Sequence, residues 1–260
     1  MKKIFTLFFL AAAIFATAQE ADTMYVYKGG NIVQRIPVSG IDSVTFALPV
    51  VPEGPLTPVV PPVQSEYEYV DLGLPSGIMW ATCNVGATKP EEYGGYYAWG
   101  ETSTKSEYND GNYKWGSLSK TTKYCLYSNH DEFDGKMHLE PGDDVANVKW
   151  GGSWRMPLKD DMNELRYYCT WEWTSLNGVE GCRVTGPNGN SIFLPAAGMC
   201  WQYGHTSEGK LCYWIGTVLE YRGEYSECAY AYCLFFGSDT AHRMSWDCRY
   251  RARTVRPVTE

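Results

Sequence analysis

Residues 198–251 read GMCWQYGHTSEGKLCYWIGTVLEYRGEYSECAYAYCLFFGSDTAHRMSWDCRYR, and the reading of this stretch decides the fold. It carries Trp201, Tyr203, Tyr213, Trp214, Tyr221, Tyr225, Tyr230, Tyr232, Trp246 and Tyr250. Its apolar positions follow neither a helical period nor a sustained strand alternation. Upstream, SIFLPAAG (191–198) reads as a strand and a turn; downstream, TVRPV (254–258) reads as another such phrase. A rigid frame is therefore expected to bracket a surface of binding-type side chains. Within the stretch, Tyr230, Tyr232 and Leu234 alternate onto one face, and with Trp214, Ile215 and Phe236 they are expected in the core. The remaining candidates are Trp201, Tyr203, His205, Tyr221, Arg222, Tyr225, His242, Arg243, Trp246, Asp247, Arg249 and Tyr250. They fall in segments that read as irregular or turn-like (199–210, 219–227 and 242–251), where binding residues concentrate. Rings of this kind stack on sugar faces or fill protein pockets, and Arg and Asp orient the ligand.

The composition is that of a folded chain. Of 260 residues, 44% are hydrophobic and 20% charged, enough for a sizeable core in one or two domains. The formal net charge of -8 argues against nucleic acid as a partner, because phosphate binding wants a basic footprint. Arg243, Arg249, Arg251, Arg253 and Arg256 are a local exception. The alternation Arg249, Arg251, Arg253 reads as an exposed strand face in preference to an anion site.

The N-terminus has the form of a secretory signal peptide, residues 1–18. Lys2-Lys3 precedes an apolar run from Ile4 to Phe15, which is too short to span a membrane, and Ala16-Thr17-Ala18 fits the cleavage rule. No cysteine follows at the cleavage point, so a lipoprotein anchor is not expected. A secreted or cell-surface-associated bacterial protein without a transmembrane segment is expected. Residues 19–48 form a small β unit: Met24–Tyr27, a Gly29-Gly30-Asn31 turn, Ile32–Val38 and Ile41–Phe46. Residues 49–66 are a proline-rich linker, extended because proline forbids helix and starves a ladder of donors.

The main domain is expected over 67–260. Two short strands flank a Pro75-Ser76-Gly77 turn, and a turn with an aromatic strand follows over Glu91–Gly100. Residues 101–138 read as loop. Met162, Leu165 and Cys169 give a helix over Leu158–Cys169 its core stripe, with Asp160 and Asp161 at its positive end. A shorter helix is expected at Asp143–Val148. Strands follow at Trp171–Thr174, Cys182–Thr185 and Ile192–Leu194, with a Gly186-Pro187-Asn188-Gly189 turn before the last.

Several phrases here resemble one family, the Fibrobacter succinogenes major paralogous domain. They are VDLGLPSG (70–77), WATCNVGA (80–87), YAWGET (97–102), WGGSWRMP (150–157), VTGPNGNSIFLPAAG (184–198) and VRPV (255–258). The resemblance covers about residues 67–260. It implies an α+β, C-type-lectin-like domain, related in shape to the formylglycine-generating enzymes, with short twisted strands, two helices and extensive ordered loops. The chain departs from the pattern in two places. Leu158 stands where members carry Thr or Ser before the helix, and the stretch 198–251 has Cys, Tyr, Arg and Trp where members have Asn, Ser and Gly.

Candidate chemistry is sparse. His130, His138, His205 and His242 form no metal-protease motif and read as surface or loop imidazoles. Glu140, Asp143 and Asp144 could ligate calcium, but Asp143 or Asp144 reads better as a helix cap. Nine cysteines contain no Cys-x-x-Cys, and pairing or burial is their default. The related oxidases hold copper on a cysteine pair; here the nearest pair, Cys228 and Cys233, would point to opposite faces of a strand. The reading is a non-enzymatic binding module without metal or cofactor, which takes an extracellular glycan or protein. The alternatives are a cysteine–metal oxidase and a structural surface component.

Overall fold

The computed structural model describes residues 23–28, 31–37, 67–126, 133–202, 204–206, 209–220, 229–238 and 240–260, and only the backbone at 23–28, 31–37, 204–206, 211 and 240–241. The chain divides into two units, Met1–Pro61 and Pro62–Glu260. In the first, β1 (Thr23–Lys28) and β2 (Asn31–Pro37) form an antiparallel hairpin with an irregularity at Val26/Tyr27. The signal peptide, the strand expected at 41–46 and the linker lie outside the described residues.

The second unit is α+β, built of small antiparallel sheets. Its first strands, β3 (Tyr69–Asp71) and β4 (Met79–Ala81), pair across the Pro75-Ser76 turn, which Gly77 N closes by donating to Leu74 O at 2.9 Å. The last strand, β15 (Val258–Thr259), adds to the other edge of β4, so the two ends of the unit are neighbours. Strand β5 (Tyr97–Ala98) is the short aromatic strand. Its neighbourhood is pinned by reciprocal indole bonds: Trp99 Nε1 donates to Ile215 O and Trp214 Nε1 to Tyr97 O, each at 2.8 Å.

Both expected helices are present. Helix α1 (Val145–Trp150) starts on Asp144, whose carboxylate accepts from the Ala146 and Asn147 amides and also from Met156 N. Helix α2 (Lys159–Tyr168) buries Met162 and Leu165. Leu158 offers no cap, so the helix is tied at its start by Asp161, which accepts from Leu158 N at 2.7 Å and pairs with Arg155 at 2.5 Å. Strands β6 (Thr170–Leu176), β7 (Val179–Thr185) and β8 (Ser191–Pro195) then form a meander. The Gly186 turn beneath it packs on the first strands. A Cβ at Gly186 would lie 2.0 Å from Leu72 O, so only glycine fits this close approach.

The stretch 198–251 is where the structure departs most from the sequence reading. It is mainly strand: β9 (Met199–Trp201), β10 (Gly204–Thr206), β11 (Lys210–Val218), β12 (Tyr230–Gly237) and β13 (Thr240–Cys248), followed by β14 (Ala252–Arg253). β11, β12 and β13 form one antiparallel sheet, while β10, β9, β14 and β5 form another. The reason that no alternation is visible is physical. The β11–β12 pair has core on both sides. Tyr213, Ile215, Leu234 and Phe236 belong to one apolar cluster with Leu72, Trp80, Met162 and Leu194. Trp214, Val218, Ala231 and Cys233 belong to another with Val85, Trp99, Tyr124 and Val255. A strand covered on both faces has no polar face to alternate. Burial of Leu234 or Phe236 alone contributes about 2 kcal/mol.

Candidate functional site

The register of β12 and β13 sorts the sequence candidates. Directly opposed residues of an antiparallel pair share a face, and successive residues alternate. Tyr232 opposes Trp246 and Leu234 opposes Met244; Cys233 opposes Ser245, Phe235 opposes Arg243 and Ala231 opposes Asp247. Trp246 and His242 therefore lie on one face of the sheet, and Arg243 and Asp247 on the other. The residues expected to form one turn-like surface sit on a strand and are split between its two sides.

On the first face, Trp246 is 55% exposed and meets Tyr230 edge-on at 5.2 Å between ring centroids. His242 is half-buried rather than a surface imidazole. It stacks on Trp171 at 4.8 Å, and its Nε2 lies 3.2 Å from Arg166 O. Burial holds its pKa below the ordinary histidine value.

On the second face, Asp247 is the hub. Its carboxylate accepts from Arg251 Nη1 at 2.9 Å, from Cys248 N at 2.7 Å and from Arg253 Nη2. Burial pushes the Asp247 carboxyl up, but Arg253 and Arg251 outweigh it and hold the group below the usual carboxylate range. The two arginines then diverge. Arg251 lies 4.9 Å over the ring of Trp201, which is 37% exposed, whereas Arg253 lies 4.3 Å over the buried Trp214.

Arg249 is not a surface residue, and neither Arg253 nor Arg256 lies on an exposed strand face. All three are at most 2% exposed. Arg249 packs over Trp99 at 4.6 Å, over Tyr113 and over Tyr124, and its Nε donates to Tyr113 Oη at 3.0 Å. Arg256 donates to Asn84 Oδ1 and to the carbonyls of Ala81, Thr82 and Phe193, and so ties the closing segment to β4 and β8. Rings and carbonyls can hold a guanidinium that is out of water, and alternation alone cannot reveal them. Tyr250 is half-buried against the Tyr96, Tyr108 and Cys200 cluster. The backbone of His205 lies in β10, while Tyr203, Tyr221, Arg222 and Tyr225 lie outside the described residues.

Two side chains that were missed stand beside these. Lys210 on β11 and Phe235 on β12 share the face of Arg243: Phe235 opposes Cys212, two residues along β11 from Lys210. The pairing of strands brings them together, and no local spacing in the sequence encodes it. The acidic group is resolved into two roles. Asp144 caps α1, while Asp143 accepts from Lys114, Lys123 and Tyr124 Oη. Among the described residues no three His, Cys, Asp or Glu side chains are grouped as metal ligands.

Burial is the main fate of the cysteines. Cys83, Cys182, Cys200, Cys212, Cys233 and Cys248 are buried thiols outside any disulfide, Cys169 is a half-buried one, and Cys125 is disulfide-bonded. Burial pushes Cys233 up to about 12 and Cys200 to about 11, which leaves them far from thiolate character at neutral pH. Cys228 lies outside the described residues. No helix among the described residues is long and apolar enough to cross a membrane.

No protein-family model, no curated protein and no solved structure matches the chain.

Proposed function

We propose that this is an exported, non-enzymatic binding module whose 67–260 unit is a C-type-lectin-like domain of the kind its phrases resemble, and that it takes an extracellular glycan or protein. The observation that carries the reading is Trp246, an indole more than half exposed on a strand and braced edge-to-face by Tyr230. A large ring fixed in this way loses little entropy on binding. Trp201, steadied by the Arg251 guanidinium, offers a second such ring with a polar group beside it. An indole face with a nearby hydrogen-bond donor suits the C–H face and hydroxyls of a sugar ring.

Glycan and proteome arrays probed with the mature protein test this directly. A reproducible ligand that Trp246→Ala or Trp201→Ala weakens supports the reading. A ligand indifferent to both changes removes these rings from the site. Stoichiometric copper in the purified protein, with turnover on a thiol substrate, would move the assignment to the oxidase alternative.

A further inference from the structure

We propose that Lys210, Phe235 and Arg243 form an anion-binding patch for the carboxylate or sulfate groups of an acidic polysaccharide. The inference rests on the binding-module reading and names the ligand class. Each of the three strands β11, β12 and β13 supplies one residue on the same face. The Lys210 ammonium lies 5.4 Å from the Phe235 ring centroid and the Arg243 guanidinium 5.3 Å from it. Both cations are exposed. Several other cations of the unit have carboxylate partners: Lys105 with Glu101, Lys123 with Asp143, Arg155 with Asp161, Lys159 with Glu220 and Arg251 with Asp247. Among the described residues, Lys210 and Arg243 have none within ion-pair distance. Two like charges beside one ring repel each other, and no carboxylate among the described residues offsets them. A bound anion between them removes the repulsion and gains two charge-assisted hydrogen bonds.

The face continues along β13. Asp247 lies four residues beyond Arg243, about 13 Å at the rise of a strand, and through Arg251 it leads to the exposed Trp201. A ring platform and an anion patch together suit successive sugars of a charged chain. An acidic peptide would satisfy the cations but gives no reason for the second platform.

The test measures binding of the full mature chain to a sulfated polysaccharide, a polyuronate, neutral dextran and polyglutamate. The proposal expects binding to the sulfated or the uronate polymer, weakened as salt is raised. K210Q/R243Q should lose affinity at least about tenfold, with an unchanged melting temperature. The two acidic polymers distinguish sulfate from carboxylate. Binding to neutral dextran alone, or to none of the four polymers, overturns the anion patch and leaves the module reading to the glycan and proteome arrays. Equal binding to polyglutamate makes the partner an acidic protein, and unchanged affinity in the double variant removes these cations; either result overturns the proposal.

Discussion

Arg256 and Arg243 belong to the same arginine-rich run and meet opposite fates. Arg256 is out of water, with four acceptors drawn from Asn84 and three carbonyls. Arg243 is in water, with a phenyl ring beneath it and no carboxylate among the described residues. The first holds segments of the frame together and the second is free to meet a ligand. Residue type says nothing about which is which; what surrounds each guanidinium decides it.

The largest break in that comparison is Arg256→Met. It leaves buried carbonyls and Asn84 without donors, and the expected loss is about 4 kcal/mol. Urea denaturation of the variant measures it. A loss below about 1 kcal/mol would place Arg256 with Arg243 instead.

This contrast also shows how much of the molecule was legible. Helix α2 could be read because it has a covered side and an open one, so Met162 and Leu165 leave a period, while β8 could be read from its short apolar run Ile192–Leu194 between turn residues. β12 was legible only in part: Tyr230, Tyr232 and Leu234 alternate onto one face, but Leu234 faces one apolar cluster and Cys233 the other, so the strand shows no polar face. The site suffered from the same cause. Without the strands, Trp246 and Asp247 looked like neighbours on one turn, and the register that puts them on opposite faces is a long-range property. Lys210 was invisible as a candidate because its partners, Phe235 and Arg243, come from other strands. The caps were legible in part: Asp144 was anticipated, whereas the bond from Leu158 N to Asp161 replaced a cap that the sequence lacked.

Asp247→Asn comes next in size. Asp247 stands between the two regions, joined to the buried Arg253 and to the half-exposed Arg251. Removing its charge strands Arg253, and the expected cost is about 3 kcal/mol. The pH dependence carries a defined sign. The folded carboxyl lies below its unfolded value, so its stabilisation is complete above the ordinary carboxylate pKa of about 4 and is lost as pH falls through the depressed folded value. Denaturation midpoints measured across this acid range should fall in the wild type and flatten in Asp247→Asn. An unchanged acid limb in the variant would show that other carboxylates govern it.

Arg243→Gln should be the mildest of the three. Its stability is expected within about 0.5 kcal/mol of wild type, since the residue is exposed. A melting temperature lowered as far as that of Asp247→Asn would mean that Arg243 belongs to the frame.

The sharpest single measurement joins stability and binding in one pair of variants. Trp201→Ala and Trp246→Ala are melted in parallel with wild type and tested on the ligand that the arrays return. The account predicts melting temperatures close to wild type and a clear loss of binding in at least one of the two. Collapse of the fold in both variants, or full binding by both, would contradict it.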